Sequence, residues 1–85
     1  MSSKMRLSTL ADRQQAKIVE LSPNIRSEER RRLLDLGFIP GALIEVENRS
    51  PSGNPVAYRI KGAVIALRTQ QTDQIYITTE GQDRL

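Results

Sequence analysis

The stretch S-E-E-R-R-R-L-L-D-L-G-F-I-P-G, residues 27–41, spells out a short helix with both of its ends, followed at once by a turn. Ser27 is expected as the N-cap, because its hydroxyl can accept from an unpaired first-turn N–H. Glu28 and Glu29 then put negative charge at the positive end of the helix dipole. Gly37 falls where a left-handed residue closes a helix, which predicts a positive φ, and Phe38 follows as the residue that folds back onto Leu33. Pro40-Gly41 blocks continuation and makes a turn. A helix over about 27–36 is too short to stand alone, so it must dock on the rest of the chain.

Leu33, Leu34 and Leu36 are expected to form its apolar face, with Ile25 leading in. Glu28 with Arg32, and Arg31 with Asp35, fall four apart on the other side. Such pairs contribute only ~0.2–0.5 kcal/mol each and serve to keep an outer face soluble. Arg30 sits in angle between Leu33 and Leu34, so its stem is expected to cover the core edge while its head reaches water.

Outward from the helix the pattern is that of strands. Residues 7–10 form a short apolar patch, an edge strand or the lead-in to one, and Q-A-K-I-V-E-L at 15–21 is β-branched at its centre and reads as a strand. Ser22-Pro23 breaks it. After Gly41, Ile44 and Val46 alternate with Glu45 and Glu47, a half-buried strand. The turn cluster S-P-S-G-N-P at 50–55 leads to a returning arm in which Val56, Tyr58 and Ile60 alternate with Ala57, Arg59 and Lys61. Lys61-Gly62 makes a second turn into a strand over 63–67. Residues 69–74 are too polar for a strand and read as one helical turn, and Ile75-Tyr76-Ile77 is the last strand.

Short strands at hairpin spacing with one small helix fit a mainly β, small α+β domain. We expect an SH3-like antiparallel barrel of five to six short strands, closed so that its edges disappear, with the helix plugging an open end. The expected core is Ile18, Leu33, Leu36, Ile44, Val46, Val56, Ile60, Ile65, Leu67, Ile75 and Ile77. The domain is expected over 7–78, with flexible segments at 1–6 and 79–85.

With 85 residues the chain makes a single domain with a modest core. It has no cysteine and no histidine, which removes disulfides, thiolate metal sites, the commonest general base and the commonest transition-metal ligand. No nucleophile–base pair is visible, so no catalytic residue is assigned and the chain is not read as an enzyme. No apolar run reaches the ~20 residues of a membrane helix and no signal peptide is visible, so the cytoplasm is the expected compartment, without direct membrane insertion. The net charge of +3 is mild. Arg30, Arg31 and Arg32 point in different directions around the helix and interleave with acids, and stacking aromatics are missing, so no nucleic-acid partner is expected.

Taken together, R-R-L-L-D-L-G-F-I-P-G (31–41), the strand of Ile44 and Val46, the turn S-P-S-G-N-P-V (50–56) and A-L-R (66–68) resemble the FeoA family, the ferrous iron transport protein A domain. Asn54 stands where that family more often has Asp, and Ser52 where it often has Leu. The resemblance implies an SH3-like barrel in the bacterial cytoplasm that assists FeoB, the membrane Fe(II) transporter, and at family level an association with transition-metal ions. The same barrel occurs as the C-terminal domain of iron-dependent repressors, so a regulatory module is the alternative. That role would need a separate DNA-binding partner.

The residues themselves offer no iron site. Glu45 and Glu47 share a strand face but lack the imidazole partners such a site uses, so neither metal ligand nor cofactor is assigned. Only Phe38, Tyr58 and Tyr76 are aromatic, too few to line a proline-helix groove. Partner binding is the remaining activity. The candidates are Phe38, Ile39 and Pro40 at the helix-to-strand corner, Pro51, Gly53 and Pro55 at the hairpin tip, and Arg68, which is alternatively the anchor of a charge pair. Ser27, Leu33, Leu36, Gly37 and Gly41 are assigned structural roles. FeoB is the expected partner, and weak self-association is compatible with the exposed corner.

Overall fold

The computed structural model describes residues 4–79. Strand β1 (Met5–Arg6) leads into a 3-10 turn at Leu7–Thr9. There follow β2 (Gln15–Leu21), α1 (Ser27–Asp35), β3 (Leu43–Arg49), β4 (Val56–Ile60), β5 (Ala63–Leu67), α2 (Thr69–Thr72) and β6 (Ile75–Thr78). The sequence boundary at Leu7 comes late, since Met5 and Arg6 pair with Ile77 and Tyr76. A strand of two residues is too short to show an alternating pattern. Of the segments expected to be flexible, residues 1–3 and 80–85 lie outside the described residues.

The six strands form one antiparallel sheet in the order β1-β6-β2-β3-β4-β5. Two register shifts bend it. One falls in β2 between Ile18 and Glu20 against β6, the other in β3 between Val46 and Asn48 against β4. Each inserts an extra residue on one side, which locally raises twist and curls the sheet around its inner face. The fold is the small SH3-like α+β expected, but the expected closure is corrected. β1 and β5 are the two edges and do not pair with each other. β1 is only two residues long and is used on β6.

The inner face holds one core. Every residue expected there is in it, although Leu36 and Ile65 are only partly buried against it. Leu7, Leu10, Ala16, Leu21, Ile25, Phe38, Ala42 and Tyr58 complete it. Leu7 and Leu10 both point inward because residues three apart eclipse on a 3-10 turn. Arg49 fixes this segment, donating to the Leu10 carbonyl at 2.6 Å and pairing with Asp12.

Helix α1 docks by a narrow row rather than the expected triple-leucine face. Leu33 is 1% exposed, whereas Leu34 is 39% exposed. A nine-residue helix has one row of side chains facing in, and Leu34 is rotated about 100° from Leu33. The expected pairs Glu28–Arg32 and Arg31–Asp35 are not among the ion pairs of the described residues. Glu29 and Arg32 approach instead, at 3.9 Å. Arg30 is partly buried, as expected for a stem on the core edge, and its Nη2 donates to the Ser22 carbonyl at 2.7 Å.

The start of α1 corrects the assignment of Ser27. The cap position belongs to Arg26, extended at φ −63° and ψ 150°, and no side chain caps the helix. The preceding turn is organised by Ser22, whose Oγ accepts from the Asn24 N–H and whose carbonyl accepts from Ile25. That turn delivers the chain so that Ser27 is already the first helical residue.

Candidate interaction surface

The helix stop sets the geometry of the first candidate region. Gly37 has φ 108°, which only glycine adopts readily. Its N–H donates to Leu34 and the Phe38 N–H donates to Leu33, both at 3.0 Å, the paired bonds of a Schellman stop. Phe38 is thereby driven inward and is 0% exposed. It supports the corner from below and presents no docking surface, which corrects its place among the contact candidates. Ile39, at 39% exposure, and Pro40 are the residues the corner presents. Gly41, at φ 90°, donates to the Ile18 carbonyl at 2.8 Å, and Ile18 donates to Ala42 at 2.9 Å, so the corner is stitched to β2.

The β3–β4 hairpin tip is the second region. Pro51 and Gly53 are exposed, and Pro55 is partly buried. Within the tip Gly53 donates to the Ser50 carbonyl at 2.8 Å, and the Ser52 hydroxyl donates to the Asn54 carbonyl at 3.0 Å. Asn54 Oδ1 accepts the Thr69 N–H at 3.1 Å, which ties the tip to the start of α2. Arg68 is exposed, and its own N–H donates to Gln71 Oε1 at 2.8 Å. Its guanidinium forms no ion pair among the described residues, so the charge-pair role is not found.

Sequence reading missed a third region, a groove of about 1130 Å³ between α1 and the C-terminal end of β5. Glu28, Glu29, Arg32 and Leu33 line one wall, and Pro55, Ala66 and Arg68 the other. Gln70, Gln71 and Gln74 form its α2 side. Gln71 Nε2 donates to Glu29 Oε2 at 2.8 Å across the two helices, while buried Gln74 Oε1 accepts nothing. No single-sequence signal brings α1 and α2 together. The polar run at 69–74 is the only trace, and it reads as an ordinary turn.

No group of three or more acidic, Cys or His side chains placed to hold a metal occurs among the described residues. Glu45 accepts from Gln15 Nε2 and Glu47 pairs with Arg59 at 2.7 Å, so each is occupied separately. Two groups among the described residues have pKa values displaced by their surroundings. Lys4 is raised by its hydrogen bond and charge pairing with Glu20. Tyr58 is raised by burial, opposed by a hydrogen bond with Thr72 and by the Arg49 charge. Neither lies in a site for acid–base chemistry. Among the described residues no helix is long and apolar enough to cross a membrane.

The sheet order and the glycine helix stop define an SH3-like module. The FeoA domain model matches residues 5–79, and the chain belongs to the FeoA family. It is 37% identical over 73 residues to a Fe(2+) transport protein A/Fe(2+) transporter FeoB fusion protein of Porphyromonas gingivalis. That match covers 86% of this chain and 8% of the relative. The iron(II) transport protein A of Clostridium thermocellum superposes with a TM-score of 0.82 at 32% identity, over 91% of this chain and 46% of that one. This chain therefore spans under half the length of both. Likeness in fold alone extends to the zinc complex of Stenotrophomonas maltophilia FeoA, described as a procaryotic SH3 domain protein (TM-score 0.78, 23% identity, 88% and 91% covered). It extends also to a manganese-dependent transcriptional repressor (TM-score 0.79, 14% identity, 92% and 42% covered).

Proposed function

We propose that this chain is a non-enzymatic accessory domain of ferrous iron uptake, acting in the cytoplasm by binding and modulating a FeoB-type Fe(II) transporter. The observation that carries this reading is the fused relative, in which a domain 37% identical to this chain shares one polypeptide with FeoB. Fusion holds two modules at high effective concentration, an arrangement suited to a pair that works in contact. The described surface adds exposed loops and a groove that a protein partner can occupy. The repressor-like alternative rests on likenesses in fold alone, at 14% to 23% identity.

On this reading Ile39, Pro40, Pro51, Gly53, Pro55 and Arg68 are the contact candidates, with Phe38 and Gly37 shaping the corner beneath Ile39. The test is retention of the detergent-solubilised FeoB-type transporter of the same organism by the immobilised chain, with and without guanine nucleotide. Retention in any nucleotide state is expected. Its absence in all of them would overturn the proposal.

A further inference from the structure

The free edge of β5 lies beside the groove, and its backbone is arranged to take another strand. Lys61 (φ 53°) and Gly62 (φ 80°) form a two-residue turn with both central residues left-handed. Such a turn makes its flanking residues, Ile60 and Ala63, a hydrogen-bonded pair. Alternation along the ladder then makes Ile65 with Tyr58, and Leu67 with Val56, the next bonded pairs. Val64 and Ala66 fall between them, so their N–H and C=O groups face away from β4. Among the described residues no strand lies beyond, because β5 is the last in the sheet. Val64 is 54% exposed, and A-V-I-A-L carries neither a charge nor a proline, the usual guards of an open edge.

The space outside that edge is bounded by α1. At one end the stem of Lys61 lies against Gly37, at the helix stop. At the other, Ala66 and Arg68 face Glu28, Glu29 and Arg32 across the groove. Charge selects what fits. Glu29 approaches Arg32, which leaves Arg26 and Arg68 against Glu28 within the groove and Lys61 at the far end. None of those three cations forms an ion pair among the described residues. A second copy fits poorly, because antiparallel β5–β5 pairing centred on Ile65 brings Arg68 of each copy beside Lys61 of the other.

We infer that an extended, acid-flanked segment of the partner protein adds to the sheet along β5, using the Val64 and Ala66 backbone groups and ending in the groove beside Arg68 and Arg26. This rests on the proposed FeoB-type partner and names where on this chain it is held.

The test combines affinity of the intact chain for the solubilised transporter with amide hydrogen exchange of the complex. Binding with slowed exchange at Val64 and Ala66 is expected. Val64→Pro removes a donor outside the β4 ladder and should weaken binding about tenfold, whereas Val64→Thr, which keeps the N–H, should stay within about twofold. Arg68→Glu should weaken binding at least about threefold at low salt, and an unchanged affinity would overturn the acid-flanked occupant. Transporter that binds Val64→Pro as it binds wild type overturns the inference and leaves the proposed function standing. Transporter that binds no form of the chain overturns both. A dimer in sedimentation that already protects β5 without transporter assigns the edge to a second copy and also overturns the inference.

Discussion

A Cβ at Gly37 would lie 2.8 Å from Cγ of Lys61, so a side chain at position 37 would force the Lys61 stem in the β4–β5 turn to shift. The backbone there is also left-handed, at φ 108°. Two separate causes thus demand glycine, and they can be taken apart. Gly37→Ala should destabilise by at least ~1 kcal/mol in urea unfolding. In a Lys61→Gly background the steric part is relieved, because no Cγ remains and glycine suits the φ of 53° there, while the φ strain at position 37 remains, so the cost of Gly37→Ala should fall without vanishing. Strict additivity of the two changes would show that the contact does not contribute.

Leu33 is the helix's main buried anchor, and its neighbour Leu34 is not one. Leu33→Ala should cost ~2–5 kcal/mol, and Leu34→Ala should stay within ~0.5 kcal/mol, both by denaturant midpoint at constant slope. Equal costs would contradict the narrow docking row.

The bond from the Thr69 N–H to Asn54 Oδ1 joins the hairpin tip to α2. Asn54→Ala should cost ~1 kcal/mol and raise amide exchange at Thr69. Asn54→Asp keeps the acceptor oxygen and adds charge to it, so stability should be retained or rise.

Burial raises the Tyr58 pKa above its ordinary value of 10.0. The unfolded chain therefore loses that proton first as pH rises, and the folded state binds more protons in this window. Stability from the neutral phenol is complete below pH 10.0 and declines as pH climbs from there toward the folded pKa. Tyr58→Phe should flatten this part of the alkaline loss relative to wild type, measured by urea midpoints from neutral to strongly alkaline pH. Parallel profiles would show that the phenol does not titrate differently in the two states.

Local signals were legible where one residue forces the backbone. Gly37, the turn at Lys61-Gly62 and the alternation of Val56, Tyr58 and Ile60 each point to a conformation without help from distant contacts. Ser27 misled because Ser22, five positions earlier, shapes the chain before the helix begins. Phe38 was legible as the residue folding back on the helix, but its depth depended on the sheet beneath it. The two sheet edges and the groove were not legible, since they follow from which strands fail to meet and from where α1 settles beside β5.

Met5 at the start of β1 lies opposite Ile77 near the end of β6, with the two strands antiparallel. The backbone therefore arrives at and departs from the fold at one place, side by side. Tension applied through those two points would peel β1 from β6 one bond at a time rather than shear the pair. Mechanically the domain is a zipper with both tabs on the same side. A tug transmitted along the polypeptide would open the β1–β6 seam first, at low force, while β2 still holds the other flank of β6.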